Sequence, residues 1–113
     1  MVRGEIWELT LAASPRSRTA QLRRVVLLSS DSLERLPLRI VVPLLTWRDA
    51  YAGVPWMVRV PPTLNSGLDV VHAADALQVR SVPAARLVRR VGELPRSLVD
   101  AIARAVGTVL EGG

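Results

Sequence analysis

The sequence predicts a small barrel, mainly β with α content in one C-terminal amphipathic helix. Three observations predict this fold class. Short β-branched runs bounded by turn residues recur between residues 6 and 94. After residue 95, apolar side chains recur at helical spacing. Aromatic residues make up only 4% of the chain, so we expect an aliphatic core.

Length and composition predict one folded domain over residues 1–113. Half of the residues are hydrophobic, which favours folding over disorder. No apolar run approaches the roughly 18 residues of a membrane-spanning helix, and Glu5 and Glu8 interrupt the apolar stretch that a signal peptide needs. The chain has no cysteine, which fits a reducing compartment. We therefore expect a cytoplasmic protein without a membrane partner.

The charge of the chain points to an anionic partner. The net charge is +5, and all 15 basic residues are arginine. GC-rich codon usage is one explanation for the absence of lysine, and bidentate binding of phosphate by guanidinium groups is another. A small basic domain favours nucleic acid or an acidic polypeptide as its partner over a membrane.

The first half of the chain predicts three strands. Residues 6–11 form the first strand, and residues 12–21, rich in Ser, Ala and Arg, form an exposed loop. The runs "VVLLSS" at 25–30 and "IVVPLLT" at 40–46 predict two buried strands. Pro43 has no N–H to donate, which indicates a bulge or an unpaired edge in the later strand.

The second half predicts further strands separated by turns. "WRDAYAG" at 47–53 forms a loop, "WMVRV" at 56–60 a strand and "PPTLNSGL" at 61–68 a turn-rich connection. "ALQVRSV" at 76–82 alternates with period two, which predicts a strand. "RLVRRVGEL" at 86–94 predicts a last strand that is solvated on one side.

Two segments predict helical structure. "SDSLER" at 30–35 predicts one helical turn, capped by Ser30 or Asp31. After Pro95, whose fixed φ suits a first helical turn, a wide apolar stripe predicts an amphipathic helix. The stripe consists of Leu98, Ala101, Ile102, Ala105, Val106, Val109 and Leu110.

Five sequence blocks occur in an order that is typical of one family. They are "RGEIW" at 3–7, "RRVVLLSSD" at 23–31, "VVPLLT" at 41–46, "ADALQVRSV" at 74–82 and "RLVRRVGEL" at 86–94. Together they resemble the MazF/PemK-type toxins of type II toxin-antitoxin systems. The resemblance implies a small SH3-like barrel of the CcdB/MazF type that cleaves single-stranded RNA without a metal ion or cofactor.

The resemblance also implies the site residues. The family's catalytic arginine falls on Arg23 and its catalytic threonine on Thr46, while Gln78 and Ser17 fall on substrate-contacting positions. The first loop departs from the family pattern, with Arg18 in place of a glutamate and Thr19 in place of a glutamine. Arg24 replaces the family's proline, so this region has lost a carboxylate and gained positive charge. RNA contacts are further predicted at Arg18, Arg24, Trp47, Arg48 and Arg80.

The implied chemistry requires little from the protein beyond positioning and charge stabilisation. A 2′-hydroxyl of RNA can attack its own phosphate and leave a 2′,3′-cyclic phosphate and a 5′-hydroxyl. Arg23 can donate two parallel N–H bonds to the nonbridging oxygens, and Thr46 can donate one more. A guanidinium stays protonated in proteins, so we expect Arg23 to stabilise charge rather than to transfer a proton.

Other candidate residues have simpler interpretations. His72 has an imidazole suited to proton transfer, but it lies outside the matched catalytic blocks, and a structural role is the favoured interpretation. Trp7 and Trp56 are expected to pack in the core or at a dimer interface, whereas Trp47 could stack on a base. One histidine, no cysteine and scattered acids predict no metal site.

Two hypotheses about function remain open from the sequence. The first is a sequence-selective endoribonuclease toxin that acts as a homodimer and is silenced by an acidic, partly disordered antitoxin. The second is a binding protein of the same fold, either a gyrase poison of the CcdB type or a relic that binds RNA without cutting it. The matched pair Arg23 and Thr46 favours the first hypothesis, and the altered first loop favours the relic.

Overall fold

A curved antiparallel sheet and one C-terminal helix make up the part of the chain that the computed structural model describes, residues 1–11 and 21–111. The predicted fold class is confirmed: the structure is mainly β, with a single helix after the last strand. The elements are β1 (Glu5–Leu11), β2 (Gln21–Leu27), β3 (Leu38–Thr46), β4 (Met57–Val60), β5 (His72–Asp75), β6 (Arg80–Pro83), β7 (Leu87–Glu93) and α1 (Arg96–Glu111).

Strand β3 is the centre of the sheet because it pairs with three other strands. The strand order is β4-β5-β3-β2-β1-β7, and β6 also pairs with β3. On one edge of β3, pairing with β6 ends at Val41 and pairing with β5 resumes at Leu44. Pro43 therefore has no ladder partner on this edge among the described residues, which is where a residue without an N–H is tolerated. The predicted unpaired edge is confirmed on this side.

Two apolar clusters lie on opposite faces of the sheet. The larger one joins the sheet to α1 and contains Ile6, Val26, Val42, Leu44, Val60, Leu68, Ala74, Leu94, Val99 and Ile102. The smaller one contains Leu9, Val25, Leu27, Val41, Val82 and Leu87. Successive residues of β2 and β3 enter alternate clusters, so both faces of these strands are buried. This explains why their sequences read as continuous apolar runs rather than as alternation.

The C-terminal helix forms where the apolar stripe predicted it. Helix α1 buries Val99, Ile102 and Ala105 against the sheet. The carbonyl of Pro95 accepts hydrogen bonds from the N–H groups of Leu98 and Val99, so Pro95 immediately precedes the first helical residue. In the described ranges, no helix has the length and apolarity that crossing a membrane requires.

Three predicted elements differ from the structure in their boundaries. The strand predicted at 25–30 spans Gln21–Leu27, because its first half pairs with β1. The turn predicted at 30–35 is a 3₁₀ turn at Asp31–Leu33, capped by the Ser30 hydroxyl. The strand predicted at 76–82 is wrong for its first three residues, which form a 3₁₀ turn capped by Asp75, and β6 begins only at Arg80.

Gly92 in β7 is required by close backbone packing. A Cβ added there would overlap the carbonyl oxygen of Ser66 and that of Asn65. Gly107 in α1 is the opposite case, since a Cβ there would meet no atom within 4 Å. Alanine at Gly92 therefore tests the close packing, and alanine at Gly107 is its matched control.

We expect Gly92→Ala to lower the free energy of unfolding by about 2–3 kcal/mol, since the connection 61–68 must shift away from β7. Gly107→Ala should raise it by about 0.5–1 kcal/mol, because alanine loses less conformational entropy in a helix. Urea denaturation of both variants measures the difference. Equal effects of the two substitutions would contradict the described packing.

Candidate functional site

The candidate site forms where β2 and β3 separate. Their mutual ladder ends at the pair Val25 and Pro43. Beyond this point β2 continues along β1 as far as the pair Gln21 and Leu11. In the same direction β3 continues along β5 to Thr46. The two strands therefore follow different neighbours and open a gap between them.

A cavity of about 590 Å³ occupies this gap, and we call it the main cavity. It is lined by Gln21, Leu22, Arg23, Arg24, Leu44, Leu45, Thr46, Arg48 and Tyr51. Arg23 and Thr46, the two predicted catalytic residues, thus line one cavity although 23 positions separate them in the chain. Their catalytic roles remain predictions.

A smaller cavity of about 210 Å³ lies beside the first, and we call it the side cavity. It is lined by Leu9, Leu11, Arg23, Val25, Pro43, Gln78 and Arg80. Arg23 lines both cavities and so stands at their boundary. Gln78 and Arg80, predicted RNA contacts, share the side cavity even though Gln78 ends a 3₁₀ turn and Arg80 begins β6.

Positive charge dominates both cavities. Arg23, Arg24 and Arg48 line the main cavity and Arg80 the side cavity, and no carboxylate occurs among their described lining residues. These four arginines make no ion pair within the described part of the chain. Uncompensated guanidinium groups around a concave surface attract an anion, and a phosphate suits their paired N–H donors.

Two arginines outside the cavities, Arg89 and Arg90, are instead paired with carboxylates. Arg90 donates to the Glu5 carboxylate over 2.6 Å, and Arg89 donates to Glu8. The hydrogen bond from Arg89, together with the charges of Arg89 and Arg24, holds the pKa of the Glu8 carboxyl below its ordinary value. Arg24 is the cross-strand neighbour of Glu8, but the hydrogen bond goes to Arg89. The side chain of Arg24 is thus left for the main cavity.

Tyr51 is a cavity residue that the sequence analysis missed. Its ring packs edge-on against Trp47, with the ring centroids 5.9 Å apart and the planes at 81°. Tyr51 lines the main cavity, whereas Trp47 lines neither cavity. The signal in the sequence was the loop "WRDAY" at 47–51, directly after Thr46. Stacking of a base on Trp47 stays a prediction, and Tyr51 is the aromatic residue among the described residues that line the main cavity.

His72 has a structural environment. It is the cross-strand neighbour of Thr46, but it is buried, and its Nδ1 lies 2.8 Å from the carbonyl oxygen of Val70. It lines neither cavity. Ser17 and Arg18 lie outside the described residues. In the described ranges, no three His, Cys, Asp or Glu residues are grouped so that they could hold a metal ion.

Comparison with known proteins identifies the family. The sequence model of the PemK-like, MazF-like toxins of type II toxin-antitoxin systems matches residues 2–110. The chain belongs to this family. None of the curated protein sequences matches the chain.

Solved structures similar to this MazF/PemK-like toxin confirm its fold. A chain of the structure described as MazE-MazF (Form-II) from Deinococcus radiodurans has a TM-score of 0.79 and 18% identity, covering 100% of this chain and 97% of that chain. An endoribonuclease in complex with its cognate antitoxin from Mycobacterial species has a TM-score of 0.77 and 18% identity, covering 98% and 95%. The Mycobacterium tuberculosis toxin MazF-mt6 has a TM-score of 0.74 and 23% identity, covering 95% and 96%.

The arginines that line the main cavity of this toxin lead us to expect that it binds an oxyanion. Sodium sulfate, titrated at constant ionic strength, should shift the ¹H–¹⁵N amide resonances of Arg23, Thr46 and Arg48 and leave those of α1 unchanged. Arg23→Ala should weaken this binding about tenfold, because it removes charge-assisted hydrogen bonds. Arg104→Ala, on the exposed side of α1, serves as the matched control. Equal weakening by both substitutions would show a response to net charge alone.

Proposed function

We propose that this toxin is a metal-independent, sequence-selective endoribonuclease that cleaves single-stranded mRNA in the cytoplasm. The observation that carries the proposal is the position of Arg23 and Thr46 on the walls of one basic cavity. A guanidinium and a hydroxyl around one concave space are the groups that a phosphodiester requires. The family match over residues 2–110 supports a further proposal, that the whole chain acts as one toxin domain.

The proposed reaction begins with the ribose 2′-oxygen next to the scissile phosphate. This oxygen loses its proton to water and attacks phosphorus, the bond from phosphorus to the 5′-oxygen breaks, and the 5′-oxygen takes up a proton. Negative charge develops on the nonbridging oxygens, where Arg23 donates two N–H bonds and Thr46 donates its hydroxyl hydrogen. The products are a 2′,3′-cyclic phosphate and a 5′-hydroxyl. Arg24 and Arg48 hold the neighbouring phosphates, and Ser17 and Arg18 contact the RNA from the first loop.

The same cavities are proposed to bind the antitoxin. An acidic, partly disordered polypeptide can place carboxylates on the arginines that otherwise bind phosphate. Arg23, Arg24, Arg48 and Arg80 offer such a surface without carboxylates of their own among the described residues. Structures of toxins in complex with antitoxins among the similar folds support this proposal. Binding of the antitoxin and of RNA would then be mutually exclusive.

A homodimer is proposed from the apolar surface that the protomer leaves uncovered. Several large apolar side chains between residues 33 and 40 are more than a third exposed: Leu33, Leu36, Leu38 and Ile40. Covering a contiguous apolar patch by a second copy removes it from water.

A second candidate function is supported by one specific feature. Arg24 occupies the position where the family resemblance places a proline, and it brings an extra positive charge to the main cavity. An extra positive charge strengthens the binding of the RNA substrate as much as the binding of the transition state. It therefore raises the affinity for RNA without raising the rate of cleavage. A protein that binds RNA without cutting it, or a gyrase poison of the CcdB type, is therefore the alternative.

Cleavage of a long single-stranded RNA in EDTA distinguishes the two functions. The wild-type protein should release fragments that carry 2′,3′-cyclic phosphate and 5′-hydroxyl ends. Arg23→Ala and Thr46→Ala should each slow cleavage by about 10²–10³-fold, because each removes a donor to the developing charge.

Arg59→Ala, an exposed arginine of β4 outside both cavities, is the matched control and should cleave at the wild-type rate. RNA binding without fragments would support the non-cleaving alternative. Cleavage that persists in the Arg23→Ala variant would remove the chemical basis of the proposal.

A further inference from the structure

Gln78 in the side cavity is held by a buried carboxylate. Its amide Nε2 donates to Oδ2 of Asp75 over 2.7 Å. Asp75 is only 5% exposed and lies at the end of β5, so it is fixed by the sheet. The other carboxylate oxygen, Oδ1, accepts the N–H of Leu77 over 3.1 Å. Asp75 therefore caps the 3₁₀ turn and restrains the Gln78 side chain at the same time.

The turn that carries Gln78 is anchored at its start and closed by a hydrogen bond of its own. The N–H of Ala76 donates to the carbonyl of Trp56 over 3.0 Å, and the N–H of Val79 donates back to the carbonyl of Ala76 over 3.2 Å. The backbone of Gln78 is thus tied to the end of β5 and to the residue before β4. A side chain on such a turn can keep one orientation when a ligand arrives.

The carboxylate decides which way the amide faces. A carboxylate only accepts hydrogen bonds, so the amide must turn its NH₂ group toward Asp75. The carbonyl oxygen Oε1 is then left without a bond to Asp75. Oε1 is also the only side-chain acceptor among the described residues that line the side cavity, where Arg23 and Arg80 supply only donors.

We propose that Asp75 is a positioning residue for base preference. By fixing the Gln78 amide with its carbonyl free, it makes the side cavity select a nucleobase that presents an N–H to Oε1 next to an acceptor for the Arg80 guanidinium. This inference rests on the proposed function in so far as its ligand is single-stranded RNA. It deepens that function by assigning a part in base selection to Asp75, which is buried and does not line the side cavity.

The size and lining of the side cavity fit this role. Its volume of about 210 Å³ is enough for one nucleobase and not for several. Leu9, Leu11, Val25 and Pro43 supply apolar walls for the faces of a flat ring, and the polar groups lie at its edge. Arg23 at the boundary connects the base in this cavity to the phosphate in the main cavity.

Asp75→Asn provides a sharp test because it changes one oxygen into a donor. Asparagine keeps Oδ1 for the N–H of Leu77, so the cap survives. Its Nδ2 donates, so the Gln78 amide must turn its carbonyl toward position 75 and its NH₂ toward the cavity. Gln78→Leu removes hydrogen bonding at nearly constant size, and Asp69→Asn, an exposed residue outside both cavities, is the matched control.

Cleavage of a randomised single-stranded RNA library, with the fragment ends sequenced, gives the base preference at each position near the cut. Gln78→Leu should reduce the preference at one position about tenfold and leave the others unchanged. Asp75→Asn should change the preferred base at that same position. Asp69→Asn should give the wild-type pattern.

Unchanged base preferences in a folded Asp75→Asn variant, with or without a loss of rate, would show a purely structural role for Asp75 and overturn the inference. If Asp75→Asn fails to fold in a thermal melt, Gln78→Leu decides alone, and a wild-type pattern in that variant overturns the inference. If the wild-type protein cuts no RNA, the sequences that each variant retains from the same library give the same comparison. If the wild type and both site variants retain the same sequences, the inference is overturned, whatever the outcome for the nuclease proposal.

Discussion

The divergence of β2 from β3 is the structural constraint on which the site depends. Up to Val25 and Pro43, the two strands satisfy each other's backbone groups. Beyond that pair β2 stays paired only with β1, and β3 pairs only with β5, each along the edge that faces away from the gap. Where the strands separate, the edges of β2 and β3 that face each other have no ladder partner among the described residues. These edges border an open cavity, where water or a ligand can satisfy their backbone groups. Both strand ends then carry polar side chains into a space that no strand fills.

The apolar clusters on each side of the sheet contribute stability that offsets the repulsion between the arginines of the site. Residues of β2 and β3 enter both clusters, and burying each large aliphatic side chain contributes about 1.5–3 kcal/mol. Three arginines, Arg23, Arg24 and Arg48, line the main cavity, and their mutual repulsion lowers the stability of the protomer. Arg23 and Arg48 are exposed and Arg24 is only half-buried, so solvent screens much of that repulsion. An anion that binds there reverses the sign of the interaction.

Much of the fold could be predicted from local sequence patterns, since β1, β3, β4, β7 and α1 follow apolar periodicity and turn residues. The start of β2 at Gln21 could not, because residues 21–24 are held by pairing with β1 and do not form an apolar run. The turn after Asp75 was missed because a side-chain cap overrode an alternating pattern. When a capping residue precedes a period-two stretch, the strand is therefore expected to begin later than the alternation itself.

Some residues of the candidate site could be predicted from the sequence, and others could not. Arg23 and Thr46 were chosen by family resemblance, and nothing in their spacing alone indicates that they share a cavity. Tyr51 was missed because its position depends on the path of the loop after β3. The importance of Asp75 became visible only in three dimensions, where both of its oxygens have partners.

The central claim is that Arg23 and Thr46 act on one phosphate, and a double-mutant cycle of cleavage rates tests it most directly. Rates are measured for the wild type, for Arg23→Ala, for Thr46→Ala and for the double variant on one RNA. If both groups stabilise the same developing charge, the double variant should be little slower than the slower single variant. Rate losses that multiply would show two independent sites and contradict the account.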